Sequence, residues 1–344
     1  MNIKIALPVV LAASGLIAFT LPEDRIEFRP GQGDVLDKTF VTEISFSLED
    51  LTMTMNGEEV DPEMMGGDFD SDEASGTASM TLEVSDEYVR VSGGRPLELV
   101  RSYESMEFEY ELGTGDSDSD EDQDVAGKSV RFKWSDEEGA YARTVEGDEE
   151  IEEDILKYLA EDLDMRVMLP SGPVAEGATW KVAWGDMGTV MVPGFDVEAA
   201  LSDEDNEMWD EVPFELPSDL SALFGDAVVT CTYKGLRTVG GVEVGVIALE
   251  SDAEGDIDLS EMVNAAIAEE DPDMGGEVTL EVGFAMEMEG ELLWNIEGGH
   301  AHSMEFEADL SLDVFGEMVI EDFGMDMGAE AEILGTIRRT VTFE

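Results

Sequence analysis

The sequence predicts a mainly β protein with some α+β character: two antiparallel curved sheets, or half-barrel-like units, with two or more short covering helices. Three observations lead to this fold class. Most of the chain alternates apolar and polar residues with a period of two, as strands do when one of their faces is buried. Few stretches carry a helical period. Because 43% of the 344 residues are hydrophobic, the chain can build a core, and a wholly disordered protein is excluded.

The first long strand shows the alternation clearly. In residues 39–55, Phe40, Ile44 and Phe46 fall on even positions, against glutamate and serine on the odd ones. The phase changes near Asp50, which predicts a β-bulge. The same criterion predicts further antiparallel strands at residues 78–91, 106–112, 129–134, 140–145, 179–184, 228–233, 242–250, 277–288, 292–297, 302–314 and 325–343.

Two segments are predicted to be helices. Residues 148–165 carry an apolar stripe, and four glutamates lie near its start, where carboxylates interact favourably with the helix dipole. Asp258 and Glu261 have the spacing of a capping box, so a second helix is expected from Asp258 to about residue 269. Shorter helical turns are expected at residues 197–208 and 218–224.

Composition divides the chain into four predicted parts. These are a signal peptide at residues 1–20, an N-terminal β-rich half with acidic loops at 21–168, a proline-containing connector with short helical turns at 169–225, and a C-terminal β-rich half at 226–344. Within them, acidic and low-complexity composition predicts exposed loops at residues 56–76, 113–127 and 202–217.

The first twenty residues have the pattern of an export signal. Lys4 precedes an uncharged apolar run over residues 5–19, and acidic residues from Glu23 onward follow too soon for a membrane-spanning helix. Cleavage is expected between Gly15 and Glu23. The single cysteine, Cys231, lies far from this signal, so we expect an exported periplasmic or extracellular protein that is not a lipoprotein.

The charge of the chain excludes two kinds of partner. With 84 acidic and 18 basic residues, the net charge is −66, which disfavours nucleic acid and anionic membrane surfaces because both are bound through Lys and Arg. A composition with seven lysines is typical of proteins from salt-adapted organisms, since salt at about 1 M reduces the Debye length to about 3 Å. Bound divalent cations are the alternative way to offset the repulsion.

Turn residues in the middle of the chain carry a loose family resemblance. The residues that carry it are Leu169-Pro170, Pro173-Val174, Gly177, Trp180, Tyr233-Lys234-Gly235, Gly240-Gly241-Val242, Val246-Ile247, Gly290, Trp294 and Gly298. Over residues 165–315 the chain resembles a group of uncharacterised exported bacterial β-rich proteins. The resemblance implies a cleaved signal, two antiparallel sheet halves and no assigned activity or catalytic residue.

Two patterns suggest metal binding, and each has a structural alternative. Residues 113–127 carry alternating aspartates, which would associate weakly with calcium, but Glu121 and Gly127 stand where an EF-hand needs glycine and glutamate, so a solvated acidic loop is favoured. The aspartates are Asp116, Asp118, Asp120, Asp122 and Asp124. His300 and His302 would share one strand face and begin a zinc or copper site, which needs a further ligand.

Other chemically distinctive residues are explained most simply by core packing. Cys231 alternates with apolar neighbours and is expected to be a buried, inert thiol. Met-x-Met pairs at Met53/Met55, Met286/Met288 and Met325/Met327 would offer thioethers to Cu(I), but they also suit one face of a strand. Trp134, Trp180, Trp184 and Trp294 would line a ligand groove or fill the core.

The sequence contains no common catalytic motif, so we expect no catalytic residues and no cofactor. The expected function is a non-catalytic binding, carrier or scaffold role in the cell envelope. An apolar ligand is its specific form, since a curved sheet crossed by a helix can hold one. The alternatives are a divalent-cation or copper-binding envelope protein and, third, a carboxylate-dependent hydrolase.

Overall fold

A computed structural model describes residues 23–61, 74–115, 117–121, 124–196, 227–260, 263–264, 267, 276–320 and 325–344. In these parts of the chain, strands form one antiparallel sheet: β1 (Val35–Met55), β2 (Glu58–Val60), β3 (Gly76–Ser92), β4 (Arg95–Leu112), β5 (Ser117–Glu121), β6 (Ser129–Ser135), β7 (Ala140–Val145), β8 (Thr179–Ala183), β9 (Val228–Val239), β10 (Val242–Asp258), β11 (Gly276–Asn295), β12 (His300–Ile320) and β13 (Met325–Phe343). Their spatial order is β7-β6-β4-β3-β1-β13-β12-β11-β10-β9-β8, with β2 beside β1 and β5 beside β4. The predicted mainly β, antiparallel fold class is confirmed.

The two halves of the chain join in this one sheet. β1 pairs with β13 from Lys38 opposite Phe343 to Met55 opposite Met327. The predicted division into two sheets is therefore not confirmed. Alternation shows which face of a strand is buried, but it does not show which strand lies next to it.

The strand predictions hold in detail at several places. The bulge predicted near Asp50 appears as a shift of the β1–β13 register between Leu48 and Asp50. The predicted strand at residues 277–288 and all but the last two residues of the one at 292–297 are parts of the single strand β11, which ends at Asn295. Residues 113–127 were expected to form a loop, but Ser117–Glu121 pairs with β4 as β5. Alternating serine and aspartate also fits the period of a strand, although its low hydrophobicity suggested a loop.

The sheet has a mostly apolar face, which we call the inner face, and a polar outer face. Side chains on the inner face are fully buried across the middle strands, as at Phe40, Leu82, Trp294, Met304 and Val341. Their neighbours in sequence point to the outer face, which carries most of the acidic residues of the strands. This two-faced arrangement explains why the alternation in the sequence is so regular.

One half of the inner face is covered by residues 151–174 and 184–195, which we call the cover. It contains two short helices, α1 (Glu153–Tyr158) and α2 (Gly188–Met191), and 3-10 turns at Arg166–Met168 and Trp184–Met187. Leu163, Met168, Trp184 and Val190 of the cover are buried in the same core cluster as the inner-face residues. The core therefore lies between the cover and one half of the sheet.

The helix predicted over residues 148–165 is wrong in extent, because only Glu153–Tyr158 is helical. After Tyr158 the backbone is held by the rest of the protein: the Ala160 N–H donates to the Gly194 carbonyl, and the carbonyls of Ala160 and Glu161 accept hydrogen bonds from Arg101. These tertiary hydrogen bonds replace the helical ones, which is a common reason for a local pattern to fail.

The helix predicted after Asp258 is described only at residues 259–260, 263–264 and 267. The Ser260 N–H donates to Asp258 Oδ1 (2.9 Å), as at a capped helix start, and the Val263 N–H donates to the Leu259 carbonyl (3.0 Å). The other predicted turns, at residues 197–208 and 218–224, the loop at 202–217 and the signal peptide lie outside the described residues. No helix in the described ranges is long and apolar enough to span a membrane.

Candidate functional site

The covered half of the inner face contains a group of charged side chains, Lys38, Asp86, Tyr88, Arg101 and Asp164, which we call the buried charge cluster. Lys38 Nζ donates to Asp86 Oδ2 (2.6 Å) and to Asp164 Oδ1 (2.7 Å), and the Tyr88 hydroxyl also donates to Asp164 Oδ1. Arg101 donates to both carboxylate oxygens of Asp86 at 2.7 and 2.9 Å. The two cations and two carboxylates balance one another, as buried charges must.

The neighbouring charges act on the pKa values of Asp86 and Tyr88. Burial alone would raise the pKa of Asp86, but Arg101 and Lys38 outweigh burial and hold that pKa below its ordinary value. Burial and the Asp164 carboxylate raise the pKa of Tyr88 well above its ordinary value, so the phenol stays a hydrogen-bond donor. The side chains of Lys38, Asp86 and Asp164 have no exposed area and are paired with opposite charges, so the cluster is a structural connection between sheet and cover.

Arg101 makes that connection directly. Its guanidinium binds Asp86 on β3 and also donates to the carbonyls of Ala160 (2.6 Å) and Glu161 (2.8 Å) in the cover. The sequence analysis missed this cluster, although a signal exists. Lys38, Asp86 and Arg101 each lie in phase with apolar inner-face residues, so they interrupt a regular alternation with a charge.

A second buried pair lies beside the cluster. Glu161 in the cover accepts a hydrogen bond from Arg166, and its other carboxylate oxygen, Oε1, is buried without a partner. Burial raises the pKa of Glu161 to about 7, and Arg166 offsets only part of this effect. The folded protein therefore holds a proton on Glu161 that the unfolded chain releases at lower pH.

Glu161 is expected to make stability depend on pH. Its pKa is 4.5 in a model compound and about 7 in the folded protein, so the free energy of unfolding falls as pH rises from 4.5 to 7 and levels off above 7. Glu161→Gln should remove this contribution, which is on the order of 3 kcal/mol across that range. Urea unfolding of wild type and variant at a series of pH values in concentrated NaCl measures it. An equal difference between the two proteins at both ends of the range would contradict this assignment.

The other half of the inner face is not packed against the cover. Beyond Thr42 on β1 and Arg339 on β13, burial falls along each strand, and Ile44 is 40% and Phe46 38% exposed. We call this surface the open inner face and define it by Ile44, Phe46, Phe108, Tyr110, Leu310 and Ile333. It is apolar and continues directly from the core, and exposed apolar surfaces of this kind are typical of binding sites.

Arg339 lies where the open inner face meets the cover. The residue is only 2% exposed; its Nε (2.9 Å) and Nη2 both donate to Thr42 Oγ1, and Nη2 also donates to the Met191 carbonyl (2.7 Å). Its Nη1 is buried and has no hydrogen-bond partner, and no carboxylate in the described part of the chain forms an ion pair with it. Burial lowers the pKa of Arg339 to about 10, which leaves it charged at neutral pH.

The outer face is acidic and contains two open grooves among the described residues. One, of about 650 Å³, contains two rows of carboxylates on adjacent strands, which we call the acidic ladders: Glu250, Glu289 and Glu307 in one row, and Asp252, Glu287 and Asp309 in the next. The other groove, of about 760 Å³, lies over β13, β1, β3 and β4. A carboxylate-dependent hydrolase would need a pocket that gathers carboxylates beside a tryptophan, and neither groove has a tryptophan among its described lining residues.

The structure separates the candidate metal ligands. His302 is the extra residue of a bulge, since Trp294 pairs with Ala301 and Leu293 with Ser303, so the strict alternation that would align it with His300 is broken. His300 has local contacts instead: its Nδ1 lies 2.7 Å from the Ala301 carbonyl oxygen and its Nε2 lies 3.3 Å from the Asn295 amide nitrogen. Within the described ranges, no group of three or more His, Cys, Asp or Glu has the geometry to hold a metal ion.

The calcium alternative lies mostly outside the described residues. Asp116 and Asp122 are not described, and neither are the side chains of Asp118 and Asp120. Asp124 is described and exposed. Weak calcium association by this segment therefore stays a prediction.

The residues attributed to core packing behave largely as expected. Cys231 is fully buried, and burial raises its pKa to about 12, so it is not a nucleophile. Met286, Met288 and Trp294 are buried on the inner face, and Trp184 is buried in the cover. Trp180 and Trp134 are partly buried: Trp180 donates to the Met168 carbonyl (3.0 Å), and Trp134 stacks edge-on against Tyr141.

The geometry thus leaves two surfaces for function: the open inner face with Arg339 at its edge, and the acidic outer face. Of these, the open inner face combines apolar area with an unpaired buried polar group, the combination that ligand sites commonly show. Comparison with known proteins adds no family to this description, because no protein-family model matches the chain and a search of curated proteins returns no match.

Proposed function

We propose that this protein is an exported, non-catalytic carrier that binds an apolar ligand on the open inner face. In this proposal the long strands curve as a half-barrel, with the cover across one end and the ligand along the other. The observation that carries the proposal is the exposure of Ile44 and Phe46 on the same face that forms the core.

The contrast between the two faces supports this surface over the outer one. Inner-face residues of β1, β4, β12 and β13 stay apolar beyond the edge of the cover, although the cover no longer buries them. A sheet face that only met water would carry polar residues there, as the outer face does. The apolar residues are explained if a ligand contacts them.

Binding of a neutral apolar fluorescent probe, N-phenyl-1-naphthylamine, tests the proposal. Ile44 and Leu334 are each 40% exposed, but Ile44 lies on the inner face and Leu334 on the outer face. We expect Ile44→Ser to weaken probe binding by at least about fivefold, since it removes apolar contact area, whereas Leu334→Ser changes it by less than about twofold. Equal effects of the two variants, or no binding by wild type, would show that the open inner face is not the ligand site.

The acidic ladders favour a second candidate, a role in binding divalent cations at the outer face. These adjacent carboxylates on three strands do not have the geometry of a defined metal site, so cations would associate with them diffusely, attracted by the negative charge of the outer face. Its test is the melting temperature in CaCl₂ against NaCl of matched ionic strength. A shift specific to calcium would support this second function, and equal shifts would remove it.

A further inference from the structure

We propose that the ligand of the open inner face is a single-chain fatty acid, with its carboxylate paired to Arg339 and its acyl chain lying along β13. The inference rests on the proposed function and adds the chemical class of the ligand. It depends on three observations: an unpaired buried cation, the direction of its free edge, and a row of apolar residues, small at Gly335, Ala331 and Ala329, that leads away from it.

Arg339 differs from the other buried cations of the described chain. Lys38 and Arg101 are equally buried, and each makes charge-assisted hydrogen bonds to carboxylates at 2.6–2.9 Å. Arg339 has only the neutral oxygens of Thr42 and Met191 as partners. Burying a charge without a counter-charge is costly, so its retention here is explained by an anion that occupies the site in the functional state.

The free edge of the guanidinium is turned away from β1. Because Nε and Nη2 both donate to Thr42 on β1, the planar geometry of the group places Nη1 at the opposite edge, toward β12. The ring of Phe306 on β12 lies 5.9 Å from the guanidinium carbon. An anion at Nη1 would therefore lie between β13 and β12, at the end of the open inner face that meets the cover.

A path for the acyl chain continues from this point along β13. The inner-facing residues after Arg339 are Ile337, Gly335, Ile333, Ala331 and Ala329. Gly335 lies opposite Phe46 on one neighbouring strand and Leu310 on the other. Because glycine has no side chain, a shallow groove runs between these two larger side chains. These residues extend over roughly 30 Å of strand, which is enough for one extended acyl chain.

The stoichiometry of charge favours a carboxylate on a single chain. One guanidinium offsets one negative charge, whereas a phosphate dianion would leave a second charge buried and unpaired. Nη1 offers N–H donors that a carboxylate oxygen accepts well. Since Nη1 has no solvent-exposed area, the head group enters when the end of α2, from Met191 to the exposed Val192, moves aside.

The first test compares ligands of equal chain length on the wild-type protein: palmitate, 1-hexadecanol and hexadecyltrimethylammonium. Titration calorimetry in about 1 M NaCl screens the repulsion between palmitate and the acidic surface. We expect palmitate to bind at least about tenfold more tightly than the alcohol, and the ammonium compound more weakly than either. Equal affinity for palmitate and the alcohol, or preference for the ammonium compound, would overturn the inference.

The second test assigns the preference to Arg339. Arg339→Met should abolish the advantage of palmitate over 1-hexadecanol, Arg339→Lys should keep part of it, and Arg338→Met, at the exposed neighbouring position on the outer face, should keep all of it. An advantage that survives Arg339→Met would also overturn the inference. The outcomes separate the two proposals: if N-phenyl-1-naphthylamine binds but palmitate has no advantage, only the fatty-acid assignment fails, and if no apolar compound binds, the carrier function fails.

Discussion

Asp86→Asn is expected to lower the free energy of unfolding by about 3–5 kcal/mol, the largest effect of any single substitution considered for this protein. Asp86 accepts hydrogen bonds from both Lys38 and Arg101 in a region without solvent. The amide keeps the size of the side chain but removes its charge, so two buried cations face only Asp164. Urea unfolding, measured by circular dichroism in concentrated NaCl, gives the change.

Two further variants make this result specific. Glu87→Gln, at the exposed position next to Asp86, should change the free energy of unfolding by less than about 0.5 kcal/mol. Lys38→Met combined with Asp86→Asn removes one charge of each sign, so the double variant should be more stable than Asp86→Asn alone. A loss below about 1 kcal/mol in Asp86→Asn would show that the buried charge cluster does not hold the cover on the sheet.

Salt is expected to raise the stability of the wild-type protein by about 2–6 kcal/mol between about 0.05 and 2 M NaCl. The acidic ladders place glutamates and aspartates directly opposite one another on adjacent strands, and each such pair is destabilising until salt screens it. Unfolding must be induced with urea, because guanidinium chloride is itself a salt. A free energy of unfolding that is independent of NaCl would contradict this account of the outer face.

One pair of variants locates the salt effect. Glu289 lies between Glu250 and Glu307, whereas the cross-strand neighbours of Glu87 are Val35 and Val100. Glu289→Gln should therefore stabilise the protein at low salt and reduce the slope of stability against salt, and Glu87→Gln should do so less. Equal slopes in the two variants would mean that total charge, rather than the ladders, sets the dependence.

Much of the fold could be predicted from sequence because each strand has a dry and a wet face. The alternation in residues 39–55 gave the faces of β1 and the bulge at Leu48 and Asp50, and β13 begins and ends where predicted. Pairing partners were not predictable, because every long strand has the same alternation. The first part of β4 was missed since Arg101 occupies an inner position there.

In the segment at residues 148–165, the buried side chains were predictable but the backbone conformation was not. Its apolar stripe is real, since Ile151, Leu159 and Leu163 are buried in the core. The backbone is nevertheless helical for only six residues, because Arg101 and Gly194 take hydrogen-bonding groups that a helix would use. The sequence identified which side chains are buried but not how the backbone brings them there.

The candidate site was predictable only in general terms. A carrier of an apolar ligand was expected from the fold class, but nothing in the alternation marks where the cover ends and the open inner face begins. Arg339 follows Arg338 in a strand, and its importance depends on facing inward beside Thr42 without a carboxylate. That property depends on the three-dimensional arrangement and has no counterpart in local sequence.

Photolabelling can locate the ligand on one face of the sheet. A neutral long-chain alcohol carrying an alkyl diazirine would be bound to the full chain in concentrated NaCl and irradiated, and the labelled peptides identified by mass spectrometry. If the ligand lies on the open inner face, the labels will be found on the strand segments around Phe46, Leu310 and Ile333. Labels spread evenly over both faces, or concentrated around the outer-face residues Glu289 and Glu307, would contradict it.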